Sequence, residues 1–411
     1  HLQIVINKAD FDDISDYMKL GTALKVTGKA VKSAVAADSV EINAESIAVL
    51  GECPPDYPLQ KKRHTLEYLR TIPHLRVRTN TFNAVFRVRS VVSACIHEFF
   101  QSRGFVYVHT PLITASDCEG AGEMFKVTTI GYSNDYKSEE EYYADDFFGR
   151  RASLSVSGQL EGEVAAMALG KIYTFGPSFR AEKSNTPRHV AEFWHVEPEV
   201  AFAELPDIIE IAEALIKHII KTVLEKCPEE LKFFDKHFEN GLVEKLTAVA
   251  NHDFAIMTYT EAIEKLKASG KEFKYPVEWG LDLMTEHERY ISEEVCKKPV
   301  FLTDYPKDIK SFYMKQNPDG KTVAATDLLV PGVGEIIGCS EREADLDKLL
   351  AAMKERNMSL DDYEHYIALR RFGSVPHSGF GLGLERIIMY VTGVQNIRDV
   401  ILYPRTVGSI S

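Results

Sequence analysis

Strand-like segments are grouped together along this sequence, and the grouping limits the folds that the chain can adopt. Two of them, "IYTFGPSFRAE" and "HVAEFWHVEPEVAF", are separated by one short charged loop. Strands in such an order favour an α+β fold, with a mostly antiparallel sheet flanked by helices, over a doubly wound parallel sheet. Later strand-like segments are grouped in the same way: "VFLTDYP", "SFYMKQN", "TVAATDLLVPG" and "GEIIGCS".

Three prolines, Pro54, Pro55 and Pro58, separate a short front part from the rest of the chain. Proline ends both helices and strands, so this stretch is predicted to be a linker. The division gives a β domain at 1–57, a linker or hinge at 58–80, and a large domain at 81–411 with a helical insertion at about 205–300.

The front part has the pattern of a small β-barrel, or of part of one, with a helix-like piece around Phe11–Leu20. In the large domain, a helix is predicted over Phe82–Gln101, because apolar residues recur there every three or four positions. The strand-like segments of the front part are Leu2–Ile6, Leu24–Val31 and Val40–Leu50.

The net charge of −13, from 48 basic and 61 acidic side chains, argues against a protein that binds nucleic acid over its whole surface. The front of the chain is slightly basic, however, so a stretch such as "QKKRH" can still contact RNA. No apolar run approaches the length of a membrane span. The six cysteines lie far apart, which excludes zinc-finger spacing and indicates a reducing compartment.

A glycine pattern near the end of the chain indicates a close approach to a ligand. Gly379, Gly381 and Gly383 alternate on a predicted strand, so one face of that strand would be bare backbone. A flat or extended ligand could lie against this face. Arg386 follows in the first turn of a helix, where its guanidinium can bind phosphate through two hydrogen bonds.

The stretch "FRAEKSNTPRHVAEFWHVEPE" carries the residue types that an ATP site needs. It is predicted to form a hairpin, with Arg180 and Glu182 on one face of the first strand and His189 and Phe193 on one face of the second. Arginine suits phosphate, an aromatic ring suits a base, and an acid suits an amino group. The combination indicates a nucleotide-binding surface.

These stretches resemble the motifs of class II aminoacyl-tRNA synthetases. "FRAE…RHVAEFWHVEPE" is similar to motif 2 and "GFGLGLER" to motif 3, while "SRGFVYVHTPLIT", with Pro111, resembles the dimer-forming motif 1. Within the aspartyl and asparaginyl branch, "SDCEGAGEMF", "VSGQLEGE" and "VPGVGEIIGCSERE" resemble the asparaginyl-tRNA synthetases. The resemblance implies an OB-fold that binds the anticodon at 1–57, with its first strands missing, and a catalytic domain after the hinge.

The resemblance also implies a role for each matching residue. Arg180 would hold the α-phosphate and the amino acid carboxylate, and it would be catalytic together with Arg386. Phe193 would stack on adenine opposite Arg386, Glu182 would meet the adenine amino group, and His189 would contact the outer phosphates. The implied ATP-binding residues are Arg180, Glu182, His189, Phe193, Glu335, Gly383 and Arg386.

Two further sets of residues follow from the resemblance. Asp327 and Glu335 would hold Mg²⁺, since carboxylate oxygens suit this ion. Glu119 and Gln159 would accept hydrogen bonds from the ammonium group of the amino acid. The implied amino-acid-binding residues are Glu119, Gln159, Arg180, Glu197, Arg342 and His377.

Asparagine and aspartate have nearly the same shape, so charge and hydrogen-bonding groups must distinguish them. By the resemblance, the aspartyl branch has a lysine where this chain has Gly162, and an aspartate where it has Glu197. A site that lacks the lysine cation and has a glutamate in place of the aspartate favours a substrate with an amide over one with a carboxylate. Asparagine is the predicted substrate, and the residues leave open whether Glu161 or Glu197 reads the amide.

The implied activity is ATP- and Mg²⁺-dependent ligation of asparagine to tRNA(Asn) through asparaginyl-adenylate, by a cytoplasmic homodimer without membrane contact. One alternative is an aspartyl-tRNA synthetase, of the discriminating or the non-discriminating kind. Another is an asparagine synthetase-like paralogue that charges no tRNA. A third is a non-catalytic binding module, against which the presence of Arg180, Glu335 and Arg386 argues.

Overall fold

The structure is a computed structural model that describes residues 2–11, 14–15, 17–33, 39–120, 123–131 and 136–410. Two units, His1–Leu75 and Arg76–Ser411, divide the chain, and the division falls inside the range predicted to be a hinge. In the described ranges, no helix combines the length and the apolar character that crossing a bilayer requires.

The first unit contains a small sheet of β1 Gln3–Val5, β2 Ala23–Lys32 and β3 Val40–Gly51. The strand order is β1–β3–β2, with β2 and β3 antiparallel and β1 parallel to β3. This sheet fits an OB-fold. The helix-like piece predicted around Phe11–Leu20 lies partly outside the described residues, and those of its residues that are described form turns, a bend and irregular backbone. Two short helices follow the sheet: α1 Leu66–Arg70 and, across the division, α2 Pro73–Arg76.

The second unit is built on a sheet that has eight strands among the described residues. Its strands are β4 Val106–Tyr107, β8 Lys171–Phe179, β9 Glu192–Ala201, β10 Ala255–Thr258, β11 Val300–Pro306, β12 Thr322–Val330, β13 Gly334–Glu341 and β14 His377–Gly383. The order is β10–β11–β12–β13–β14–β9–β8–β4, and only the two edge strands, β10 and β4, pair parallel to their neighbours. The predicted mostly antiparallel sheet is therefore confirmed. A smaller sheet, with the order β5–β7–β6, consists of β5 Ile113–Thr114, β6 Lys126–Val127 and β7 Ala152–Leu154.

Helices cover this sheet. The predicted helix is confirmed as α3, which starts slightly earlier because the Thr79 side chain accepts a hydrogen bond from the backbone N–H of Phe82. The α-helices among the described residues of this unit are α3 Asn80–Ser102, α4 Glu139–Ala144, α5 Gln159–Leu169, α6 Leu205–Lys226, α7 Pro228–His237, α8 Leu242–Asn251, α9 Tyr259–Ala268, α10 Thr285–Arg289, α11 Leu346–Glu355, α12 Glu364–Arg371 and α13 Leu384–Thr392.

Two segments differ from the sequence-based expectation. "SFYMKQN" is not a strand: Met314 pairs with Arg342 and Gln316 pairs with Val323, so the segment crosses between two strands instead of following one. The range expected to be a helical insertion, about 205–300, also contributes β10 to the large sheet. Its helices α6, α7 and α8 bury side chains in the main core with α3 and α13.

Alternation along the strands divides the sheet into an apolar face and a polar face. On β9, Val196 and Val200 are buried in the core with the helices, whereas Glu197 lies on the opposite face. On β12, Leu328 faces the core and Asp327 faces away from it. The sheet thus presents charged side chains on the face that the main core leaves free.

Candidate active site

The charged stretch between β8 and β9 is a loop, so the prediction that it continues both strands is wrong in detail. Arg180, Glu182 and His189 lie after β8 has ended and before β9 begins. The two ends of the loop remain paired, since the backbone N–H of Arg180 donates to the carbonyl of Ala191 at 2.9 Å. Pro187 lacks a backbone N–H and cannot extend such a ladder, which is consistent with the early end of the pairing.

One cavity, of about 120 Å³, lies beside this loop. Every residue that the resemblance assigned to ATP is in its wall, although these residues come from a loop, three strands and a helix. They are Arg180, Glu182, His189, Phe193, Glu335, Gly383 and Arg386.

Cations in this cavity are held by carboxylates. Arg386 donates to the Glu335 side chain at 3.3 Å and to the Glu335 carbonyl at 3.0 Å. Arg180 donates to the Glu119 carboxylate at 2.6 Å, and its guanidinium carbon lies 5.3 Å from the centre of the Phe193 ring. Burial, together with the nearby Arg386 cation, lowers the pKa of His189, so this imidazole favours its neutral form.

A second cavity, of about 280 Å³, contains most of the predicted amino-acid site. Glu119, Gln159, Glu197 and Arg342 line it. Arg180 lines both cavities, as do His195, Glu335 and Gly381. A group bound in one cavity can therefore meet a group bound in the other beside the Arg180 guanidinium.

His377 was predicted to lie near the amino acid, but it is not among the described side chains that line this cavity. Its side chain is buried, and Nε2 lies 2.8 Å from the Glu163 carboxylate. Nδ1 lies 2.8 Å from the Val375 carbonyl. Both ring nitrogens have hydrogen-bond partners within the protein. His377 therefore packs behind the side chains that line the cavity.

Glu197 is held by four donors, two on each carboxylate oxygen. Oε2 accepts from the Gly158 N–H at 3.0 Å and from the Thr174 hydroxyl at 3.1 Å. Oε1 accepts from the Ser157 hydroxyl and lies 3.1 Å from His195 Nδ1. Ser157 and His195 both line the second cavity, so Oε1 is the oxygen on that side.

Glu197 is ionised at neutral pH. Burial alone would raise its pKa, but His195 and the hydrogen bonds lower the pKa to about 2. Glu161, the other acid considered for the amide, is not among the described side chains lining this cavity. Burial also raises the pKa of Glu161. These observations favour Glu197 over Glu161 as the group that faces a bound side chain.

Glu199 also lines the second cavity, although the sequence motifs assigned it no role. Its two carboxylate oxygens accept from Nε and Nη2 of Arg342, and both side chains are almost fully buried. Arg342 is thereby fixed in the wall of the second cavity. The available signal was the spacing of two from Glu197, which places both acids on one face of β9.

Two of the three alternating glycines of β14 leave space for side chains of the protein, so a ligand cannot lie along the whole strand. A Cβ atom at Gly379 would overlap the Glu199 carboxylate, and one at Gly381 would overlap the His195 ring. At Gly383 the nearest atom to such a Cβ, Cγ of Arg386, is 3.9 Å away. The predicted open face is therefore wrong at the first two positions, and only Gly383 leaves room in the ATP-side cavity.

The two carboxylates expected to hold Mg²⁺ both lie close to Gly338. A Cβ there would be 3.5 Å from Glu335 Oε1 and 3.6 Å from Asp327 Oδ1. Lys310 donates to Asp327 at 2.6 Å. In the described ranges, no three histidine, cysteine or acidic side chains form a metal cage. Two carboxylates do fit an ion that keeps waters and substrate phosphates as its other ligands.

A comparison with known families identifies the chain. The sequence model of the family described as "tRNA synthetases class II (D, K and N)" matches residues 65–407. The chain belongs to this family. The resemblance seen in its motifs is thus confirmed.

Proteins of similar sequence indicate the branch of this family to which the chain belongs. It is 58% identical over 401 residues to an asparagine–tRNA ligase of Clostridium novyi, covering 97% of this chain and 86% of that protein. It is 57% identical over 413 residues to an asparagine–tRNA ligase of Acetivibrio thermocellus, covering 100% of this chain and 89% of that protein. The chain is therefore in the asparagine–tRNA ligase branch of the class II synthetases.

Solved structures agree with the fold. An asparaginyl-tRNA synthetase of Pyrococcus horikoshii complexed with asparaginyl-adenylate has a TM-score of 0.87 and 35% identity, over 100% of this chain and 89% of that one. The Entamoeba histolytica asparaginyl-tRNA synthetase in complex with asparaginyl-adenylate has a TM-score of 0.83 and 28% identity, with the same coverage. The class II synthetase fold is thus confirmed.

Proposed function

We propose that this chain activates asparagine with ATP and transfers it to tRNA(Asn), and that the residues described above carry out the activation. The supporting observation is the pair of cavities that share Arg180. One has the side chains suited to ATP, and the other places ionised Glu197 with Arg342. A carboxylate acceptor and a guanidinium donor complement the amide of asparagine, whose NH₂ group would take the place of Ser157 or His195 on Glu197 Oε1. The carboxylate of aspartate would instead face Glu197 with like charge.

In the first step, an oxygen of the asparagine carboxylate attacks the α-phosphorus of ATP. The new O–P bond forms as the bond to the β-phosphate breaks, and pyrophosphate leaves with the electron pair. The attacking carboxylate is already ionised, so no general base is needed. Arg180 touches both cavities and would bind the two reacting groups together, which aligns them and offsets the developing charge.

Asp327 and Glu335 would hold Mg²⁺, which when bound would supply charge neutralisation at the phosphates. Lys310 keeps Asp327 paired, and Arg386 keeps Glu335 paired. Burial opposes ionisation of Glu335, but Arg386 and Lys310 lower its pKa, so it is available as an anionic ligand. The chain's own residues thus provide a position for the ion beside the shared wall of the cavities.

In the second step, the 3′ hydroxyl of the terminal adenosine of tRNA attacks the carbonyl carbon of the adenylate. The ester bond forms as the bond between the carbonyl carbon and the phosphate oxygen breaks. AMP leaves with the electron pair, and the hydroxyl proton is released to solvent. The loop after Arg180 borders the ATP-side cavity, through Ser184 and Arg188 among others, and is the segment proposed to meet the acceptor end. This step is tested with labelled asparagine and a tRNA(Asn) transcript: acid-precipitable label is expected, and none is expected with tRNA(Asp).

Replacing Glu197 by glutamine is expected to weaken the choice of asparagine. The anion that opposes aspartate would be lost, so the preference for asparagine over aspartate in ATP–pyrophosphate exchange should fall by about tenfold or more. The matched control is Glu192→Gln, an exposed position at the start of the same strand. An unchanged preference in the Glu197 variant would exclude this residue as the amide reader.

Replacing Asp327 by asparagine is expected to raise the Mg²⁺ concentration needed for half-maximal exchange by about tenfold, since the ion would lose an anionic ligand. Asp308→Asn, at an exposed position, is the control. The measurement is a Mg²⁺ titration at saturating ATP and asparagine. Equal midpoints for the Asp327 variant and the parent would remove Asp327 from the metal site.

A homodimer is part of the same proposal. Pro111 lies between β4, an edge of the large sheet, and β5, and it is exposed in this single chain. Val106, Leu112 and Ile113 are also exposed around it, and such apolar side chains are suited to burial against a second copy. A cytoplasmic location is proposed on the ground that tRNA charging supplies translation.

A further inference from the structure

A fully buried glutamate, Glu163, lies behind the second cavity and is not among the residues that the motifs assign. It is on α5, four residues after Gln159, so the two side chains are on the same side of the helix. Gln159 itself lines the cavity. Glu163 therefore contacts Gln159, which lines the cavity, but Glu163 is not itself part of the described lining.

All the acceptor positions of this carboxylate are in use. Oε1 accepts from Gln159 Nε2 and from the Tyr366 hydroxyl, each at 3.0 Å. Oε2 accepts from Arg370 Nη2 at 2.7 Å and lies 2.8 Å from His377 Nε2. A carboxylate has about four lone-pair positions, so these four groups fill them.

The surroundings keep Glu163 ionised. Burial would raise its pKa, but Arg370 and His377 reverse this effect and hold the pKa below its usual value. Arg342 adds a further positive charge, with Nε 3.8 Å from Oε1. An ionised carboxylate has no proton to donate, so it can only accept from Gln159.

The amide of Gln159 consequently has one orientation. Its NH₂ group must point to Glu163, which leaves its carbonyl oxygen for the cavity. The reverse orientation would place two acceptors against each other in a buried position, which is costly. In the favoured orientation, the carbonyl oxygen of Gln159 faces the cavity as a hydrogen-bond acceptor. The Glu119 carboxylate, a second acceptor, lines the same cavity.

We propose that Glu163 is a positioning residue for the ammonium group of the amino acid: it fixes the Gln159 amide so that the oxygen, and not the NH₂ group, faces the substrate. This inference rests on the proposed function, because it takes the ligand of the cavity to be an amino acid. Glu163 does not touch that ligand and acts through Gln159.

The test is Glu163→Gln, compared for two ligands that differ only in the ammonium group. A glutamine at this position can donate as well as accept, so Gln159 can turn its NH₂ group toward the cavity. The KM for asparagine in ATP–pyrophosphate exchange should rise by about 10- to 100-fold. The inhibition constant of succinamic acid, which is asparagine without its amino group, should stay within about twofold.

Two further variants distinguish a change in the Gln159 orientation from a general loss of structure. Tyr366→Phe removes one donor to Glu163 but supplies no proton, so the ratio of the asparagine KM to the succinamic acid constant should stay as in the parent. Glu163→Gln leaves the buried Arg370 cation without its partner, which could unfold the single variant. The double variant Glu163→Gln with Arg370→Gln removes this cation as well. The same shift in the ratio is expected from this double variant.

Equal weakening of asparagine and succinamic acid would overturn the inference, because it would indicate damage to the whole cavity. An unchanged ratio in the folded variants would overturn it as well. Failure of the proposed function is a separate result: the parent protein would then show no asparagine-dependent exchange at all.

Discussion

Arg180→Ala is expected to lower asparagine-dependent ATP–pyrophosphate exchange by at least about 100-fold, mainly through kcat. Arg180 is in the wall of both cavities, and it is the donor that can touch the α-phosphate and the asparagine carboxylate together. Interactions made mainly in the transition state appear in kcat when they are removed. The loss would correspond to about 2.7 kcal/mol or more of transition-state stabilisation.

The matched control for this variant is Arg371→Ala. Arg371 also pairs with a glutamate, Glu364, but both side chains are largely exposed, so its loss should cost little. Thermal denaturation of both variants would show that the fold is retained. Exchange by the Arg180 variant within a few-fold of the parent would remove this residue from the reaction.

Gly379→Ala is the second variant with a large expected effect, and it should reduce exchange by about 100-fold or more. The added methyl group would occupy the position of the Glu199 carboxylate, so the bidentate pair between Glu199 and Arg342 could not keep its geometry. Both charges are buried, and separating them is expensive. Arg342 would then no longer be held in the wall of the asparagine cavity.

The control is Gly176→Ala on β8, where no atom lies within 4 Å of the added methyl group. We expect its exchange rate to be close to that of the parent. Steady-state kinetics with asparagine and ATP varied separately would show whether the Gly379 effect falls on asparagine binding. Parent-like kinetics for Gly379→Ala would mean that the space at this position has no role in holding Arg342.

Regular periodicity made several elements of the fold predictable. The apolar spacing of α3 identified its buried face, and the buried side chains of this helix, such as Val88 and Val92, follow the expected pattern. The grouping of strands predicted the antiparallel sheet. The ends of β8 and β9 were missed because charged residues there continue the strand alternation while the backbone leaves the sheet.

The motifs pointed to residues that the fold brings together, whereas contacts between distant parts of the chain could not be predicted from the sequence. The residues that the resemblance assigned to ATP line one cavity, and their role there stays a prediction. Glu163 and Glu199 were not recognised, because their partners Arg370 and Arg342 are far away in the sequence. Local spacing says nothing about which arginine neutralises a buried acid, since the packing of separate elements decides it.

The central claim is that the paired cavities activate asparagine. ATP–pyrophosphate exchange with asparagine and aspartate side by side, without tRNA, tests it most directly. We expect exchange with asparagine, and at least about 100-fold less with aspartate at equal concentration, since a buried like-charge pair at Glu197 costs several kcal/mol. Exchange with aspartate alone would contradict the claim.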